Sequence, residues 1–412
     1  MKKTLAAVAV LGAFAGSALA ADVTLYGKVD LGLQYQHKDA DTLTLTANAY
    51  DSTDGFSGDA AIVNAKSHSW GLKSGSNSGS RFGLKGSEQI SEDLTVGFQL
   101  EHGFKADNGG FGDKDRMFNR EARLYVKTAF GELGMGRMGG LDSGSGSYNL
   151  MGDAGAMGTG WGSTIGSNSA VLRGMSSRMD NTITYKSPAF AGVTLLAQAS
   201  LGANGDDEAS HDTDRYYALG AKGEWNALEA ALVVSTTDYK RDFANKTGED
   251  NSLVVGGYAA YDFGVAKTTL GAQYYDNLVG NPVSYAVEFD KALIKANKGD
   301  YKFATAKDKF VADLAENAGY AMTKGYGVTL GAEAPVASGT LYTSLGYGSY
   351  ELVQDSAIEG EIMNFGVGYK YPLSKRTYVY GAAGYTQAKV EGYSVELKSK
   401  TAEVVSGLVH NF

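Results

Sequence analysis

From Val23 to Phe412 the sequence is built of short segments in which every second residue is apolar, and tight turns alternate with long polar connections between them. Successive side chains of an extended chain point to opposite faces. Val23, Leu25, Val29, Leu31 and Leu33 therefore share one face of the first segment, and Thr24, Tyr26, Lys28, Asp30 and Gln34 share the other. Leu94, Val96, Phe98 and Leu100 alternate in the same way with Thr95, Gln99 and Glu101. Met363, Phe365, Val367, Tyr369 and Tyr371 do so with Asn364 and Lys370. Such a series describes an all-β fold, a closed transmembrane antiparallel β-barrel with one face on lipid and the other on water.

Sixteen strands are expected near 23–36, 79–89, 93–104, 118–129, 132–139, 178–187, 192–200, 214–223, 228–238, 251–262, 267–276, 323–333, 339–350, 359–371, 377–389 and 400–412. Connections of a few residues, such as Ser91-Glu92-Asp93, Phe130-Gly131, Pro188-Ala189-Phe190-Ala191 and Pro372-Leu373-Ser374-Lys375-Arg376, follow each even strand and read as periplasmic turns. The others are longer and rich in Asp, Asn, Ser and Gly, as outward-facing loops are. An even count leaves both chain ends on the periplasmic side. Residues 140–177 form a long Gly- and Ser-rich stretch, and residues 277–322 form a long extracellular loop. Within the latter, Val287 to Lys298 and Lys307 to Met322 have helix-like content.

The first twenty residues carry Lys2 and Lys3, an apolar run from Leu5 to Leu11 and beyond, and the small-x-small triplet Ala18-Leu19-Ala20. This is the pattern of a cleaved secretory signal peptide, leaving 21–412 as the barrel. Losing both lysines makes the remainder two charges more acidic than the −9 of the whole chain. Nothing after it approaches the roughly 18 consecutive apolar residues a membrane helix needs. The 56 glycines relieve crowding in curved strands, and the 26 tyrosines suit aromatic girdles at the two membrane interfaces. With no cysteine, disulfides and thiolate metal sites are excluded. The five histidines lack metal-ligand spacing, with His68 and His211 read as loop residues, so no cofactor is expected. An acidic chain with few basic clusters gives no support for nucleic-acid binding.

Ser80-Arg81-Phe82-Gly83-Leu84-Lys85-Gly86-Ser87-Glu88, followed by Leu94 to Phe104, resembles the first hairpin of the general trimeric porins of beta-proteobacteria. Asn119-Arg120-Glu121-Ala122 leading to Gly136-Arg137, the run Arg178 to Pro188, and the closing Gly407-Leu408-Val409-His410-Asn411-Phe412 are similar to that family in order and spacing. The resemblance implies a sixteen-stranded homotrimeric diffusion channel in a Gram-negative outer membrane, surrounded by lipid and lipopolysaccharide. It also implies a third loop, here 140–177, folded into the lumen to narrow it. That loop departs from familiar versions in being rich in Gly, Met and Ser, with only Asp142 and Asp153 as acids. The terminal Phe412 looks like the assembly signal read by the barrel-insertion machinery.

Alternation places Arg81 and Lys85 on the lumenal face, because Phe82 and Leu84 point the other way. Arg123 and Lys127 with Glu121, and Arg178, Asp180, Thr182 and Lys186, are assigned inward on the same ground. Arg81, Lys85, Arg123, Arg178 and Arg173, facing Asp142 or Asp153 of the loop, are the expected constriction; such a transverse field biases which ions pass. The alternative is a solvated lumen of evenly mixed charge, since Asp30, Glu101 and Glu121 also point inward. Arg120 and Arg137 share the face of apolar residues, a costly position in lipid. They are therefore expected at the extracellular rim or in a trimer contact, as latch points for a neighbour's 105–117 loop. A passive channel for small hydrophilic solutes, weakly anion-preferring, is the reading favoured. A solute-specific channel is its rival, although Tyr125 and other lumenal aromatics form no evident slide. An outer-membrane hydrolase is disfavoured because no nucleophile and base recur at the loop bases, and a repeat-built adhesin because the strands do not repeat.

Overall fold

The computed structural model describes residues 23–51, 55–166, 171–172, 174, 177–203, 213–239, 251–279, 287–289 and 322–412. They form one sheet of β1 (Thr24–Asp51), β2 (Gly55–Ser74), β3 (Arg81–Ser91), β4 (Leu94–Gly103), β5 (Glu121–Thr128), β6 (Gly131–Gly139), β7 (Arg178–Lys186), β8 (Val193–Ser200), β9 (Arg215–Trp225), β10 (Leu228–Asp238), β11 (Leu253–Asp262), β12 (Lys267–Val279), β13 (Val287–Phe289), β14 (Met322–Val336), β15 (Gly339–Leu352), β16 (Glu359–Pro372), β17 (Thr377–Gly392) and β18 (Val395–Asn411).

Two of these eighteen pieces are not separate staves. β1 pairs with β3 through Thr24–Lys28 and with β2 from Leu31 upward, so β2 and β3 succeed one another along the same edge of β1. β13 adds three residues in parallel beside Asp41, Thr42 and Leu43. The wall is therefore sixteen-stranded and antiparallel, as expected. It closes where β18 pairs with β1 from Lys28↔Asn411 to Ala40↔Ser399. The last turn of that seam is a reciprocal pair: Gly27 N–H donates to the Phe412 carbonyl at 3.1 Å and Phe412 N–H to the Gly27 carbonyl at 3.0 Å.

Burial runs opposite to that of a water-soluble domain. Leu219 is 67% and Leu232 57% exposed on the outer face, whereas Gln198 is 4% and Glu403 1% exposed inside. Only a lipid exterior makes that arrangement favourable, since in water each exposed leucine would forgo its burial free energy of about 2 kcal/mol. Phe130, Phe190 and Phe263 stand out at the tight-turn end, where an aromatic girdle meets the interface. Gly131 sustains one of those turns at φ +124°, and a Cβ there would lie 2.4 Å from the Lys186 carbonyl.

Three expectations change. The stretch after residue 36, read as a loop, continues as the long hairpin of β1 and β2, which puts His68 on a strand opposite His37. The polar rows from Gln36 to Asp41 and from Asn64 to His68 interrupt the apolar alternation, although Leu43, Leu45, Ala47 and Ala49 alternate with Thr42, Thr44, Thr46 and Asn48 beyond them. Val287–Phe289, read as helix-like, is extended because it pairs with β1. Met322, the end of the second helix-like run, begins β14, and the remaining helix-like residues, together with residues 1–22, Arg173 and His211, lie outside the described residues.

Candidate channel lining and its inward loop

The connection after β6 turns inward and is anchored step by step to the inner wall. Leu141 N–H donates to Gln198 Oε1 at 2.9 Å, and the Asp142 carboxylate accepts from Tyr216 Oη at 2.8 Å and Ser235 Oγ at 2.5 Å. Tyr148 Oη donates to Glu132 at 2.6 Å and accepts from Arg123 Nη1 at 2.7 Å. Burial and the bond to Glu132 raise the Tyr148 phenol well above its ordinary pKa, so it remains a donor.

Beyond Tyr148 the loop crosses a bed of lumenal glycines. A Cβ on Gly220 would sit 2.2 Å from Leu150, one on Gly271 2.1 Å from the Ala154 carbonyl, and one on Gly368 2.6 Å from Trp161. These wall positions are open because the loop's side chains and carbonyls fill them; at Gly271, where the loop backbone itself is met, a larger residue would push the loop into the pore. The far end is fastened by Glu403 of β18, which accepts from Ser163 N at 3.0 Å, Thr164 N at 2.8 Å and Thr164 Oγ1 at 2.8 Å. Gln34 also donates to Glu403. Gly162, at φ +75°, lets the backbone come this close, since its Cβ would be 2.7 Å from the carboxylate carbon. On the return limb, Gly174 N–H donates to Gln273 of β12 at 2.7 Å. The loop thus lines the inner wall from β8 to β18.

The opposite wall, β3 to β7, carries charge. Glu101 accepts from Arg120 Nε at 2.6 Å and from Tyr26 Oη at 3.1 Å, and Arg81 Nη1 lies 3.6 Å from it. Arg178 shares the electrostatic field of Arg81, Arg120, Glu101 and Glu121. Among the described residues no carboxylate lies within 4 Å of Arg178, Lys28 or Lys85; Lys28 reaches Ser78 Oγ at 3.2 Å and Lys85 rests over the Tyr26 ring. Arg123 is held more tightly. It pairs with Glu121 at 2.9 Å and Glu132 at 3.1 Å and is clasped between the rings of Tyr125 and Tyr148. Towards the periplasmic end, Lys28, Lys267, Lys370, Asp153 and Glu333 line a cavity of about 280 Å³ beneath loop residues 152–161.

The structure gathers Arg81, Arg123 and Arg178 around Glu101 and Glu121 and lays Lys85 over the Tyr26 ring. Asp153 faces the lumen, 3.9 Å from Lys222. Asp142 does not: it is 2% exposed and consumed by Tyr216 and Ser235, because it stands where the loop leaves the wall. Arg120 is neither a rim nor a latch residue; it precedes the regular part of β5, so strict alternation does not govern it, and it joins the lumenal cluster. Arg137 and Arg116 of the same chain both bind Asp180, at 2.6 Å for Arg137, so Asp180 leaves the lumenal face. A register shift between Gly136 and Met138 and the positive φ of Asn181 rotate that corner. Alternation assigns Lys28 and Lys370 to the water face without giving them a place in the constriction, and it singles out nothing at Lys267.

A closed sixteen-stranded barrel, oily outside and charged within, with a loop folded along its lumen, defines an outer-membrane channel. The chain belongs to the Gram-negative porin family, whose model matches residues 6–390. It is 30% identical to an outer membrane porin protein of Bordetella pertussis over the full length of both chains. It is 28% identical to outer membrane porin protein 32 of Delftia acidovorans, covering 94% of this chain and 90% of that one. In fold it matches an anion-selective porin from Comamonas acidovorans with a TM-score of 0.61 at 21% identity, covering 95% of this chain and all of the other. The trimer form of OmpT, an outer membrane protein of Vibrio cholerae, matches with a TM-score of 0.54 at 15% identity over 95% and 100%. As a porin, the protein is a passive channel for ions and small hydrophilic solutes in the outer membrane of a Gram-negative bacterium, and not an enzyme.

Proposed function

We propose that the channel favours anions and that its selectivity is set by the β3 to β7 wall. One observation carries this: Arg81, Arg120, Arg123 and Arg178, with Lys28 and Lys85 beside them, outnumber the acids Asp30, Glu101, Glu121 and Glu132 among them. The chain is acidic overall, but charges beyond a Debye length of about 8 Å are screened at physiological salt, so the lining outweighs the total. The anion-selective character of the Comamonas neighbour supports the same sign.

The protein assembles as a homotrimer, as the OmpT neighbour does in its trimer form. Residues 1–20 act as a cleaved export signal, and the exposed terminal Phe412 is read during barrel insertion into a membrane of lipid and lipopolysaccharide. Reversal potential in a salt gradient tests the selectivity. Arg81→Ala should move it towards cations, while Lys114→Ala on the exposed outer loop should leave it unchanged. Equal shifts from both, or none from Arg81→Ala, would defeat the reading.

A further inference from the structure

His37 and His68 are direct register partners on β1 and β2, their rings lie within 20° of parallel, and their Nδ1 atoms are 3.4 Å apart. Two imidazole nitrogens bound at about 2.0–2.1 Å to one tetrahedral ion stand about 3.3–3.4 Å apart, so the pair already has the bite of a bidentate chelate. The pair is open to solvent. On the same outer face the rows below are apolar, Leu33 with Leu72 and Tyr35 with Trp70. The row above is polar: Asp39 pairs with Lys66 at 3.5 Å and accepts from Asn64 at 2.7 Å. The histidines are thus the first polar row above the lipid-facing band, where water can complete a coordination sphere.

We infer that His37 and His68 form a binding site for a borderline divalent transition metal such as Cu²⁺, Ni²⁺ or Zn²⁺, the ions imidazole suits. The described residues contain no cluster of three or more His, Cys, Asp or Glu able to hold a metal, so this is a two-ligand site closed by water rather than a buried one. Both imidazoles bind as neutral ligands, and protons compete with the metal. A bound ion would tie the two strands of the outer hairpin together at its root.

Full-length protein folded in detergent, without an affinity tag, can be titrated with Cu²⁺ and followed by calorimetry and by electron paramagnetic resonance. Wild type should bind one ion per chain with coupling to two imidazole nitrogens. His37→Ala and His68→Ala should each weaken binding about tenfold or more and leave one coupled nitrogen, while His211→Ala changes nothing. Retention of the folded, heat-modifiable band controls for misfolding. Wild type without saturable one-to-one binding, unchanged binding in His37→Ala, or loss of it in His211→Ala would each overturn the assignment.

Discussion

The two halves of the inner wall solve different problems. Strands β3 to β7 present long charged side chains that are partly paired and reach towards the opening. Across β9 to β17 the equivalent inward positions include Gly220, Gly256, Gly271, Gly331, Gly368 and Gly384, and the loop lies on them. One half supplies the field and the other supplies the seat for the element that narrows the pore. Charge selection and pore size are therefore written largely on separate strands, with Arg123 and Glu132, which hold Tyr148 of the loop, as the point where they meet.

The hardest blow to the seat is Glu403→Ala. It removes the acceptor for Ser163 and Thr164, bonds to a charged group that each contribute about 1.5–3 kcal/mol. The loop end should come away, and single-channel conductance should change roughly twofold with frequent sub-state closures, because the constriction is no longer fixed. Unchanged, quiet conductance would show that Glu403 is not the fastening. A smaller effect is expected from Gly271→Val, whose side chain meets the Ala154 carbonyl of the loop backbone and pushes the loop into the pore at a cost of about 1–3 kcal/mol. Gly381→Ala serves as the comparison, since its nearest neighbour would be 3.9 Å away. Conductance should fall in the first and hold in the second; equal behaviour would mean that the glycine bed does not position the loop. The smallest effect on permeation belongs to Asp142→Asn. It weakens bonds to Tyr216 and Ser235 and should lower the thermal midpoint by an amount equivalent to about 1 kcal/mol, leaving reversal potential as in wild type. A shift of that potential would place Asp142 in the ion path after all.

The staves of this barrel were legible because a two-residue period with one lipid face leaves a strong mark, as Leu219, Leu232 and Leu270 show. The hairpin above them was not, since residues such as Lys38, Asp39, Lys66 and Ser67 are polar on both faces once the strands leave the membrane. In the channel, Arg81 and Arg123 stand on regularly paired strand, where alternation fixes direction. Arg120 and Asp180 could not be read that way, because irregular backbone at the strand ends turns them against the pattern. Asp142 defeats the sequence for another reason. Whether a loop carboxylate faces water or binds a tyrosine depends on the path of the loop, which is decided by glycines scattered from residue 220 to residue 384.

The seam between β1 and β18 joins Lys28 to Asn411, partners separated by nearly the entire chain. Contacts of such extreme sequence separation bring no reward until every intervening stave has been laid down, so closure belongs at the end of folding and contributes to a slow, high-contact-order route. Until Phe412 meets Gly27 the molecule is an open sheet with two unpaired margins, each a template for a foreign strand. The reciprocal Gly27–Phe412 bonds therefore mark the moment at which an aggregation-prone intermediate becomes a self-contained pore.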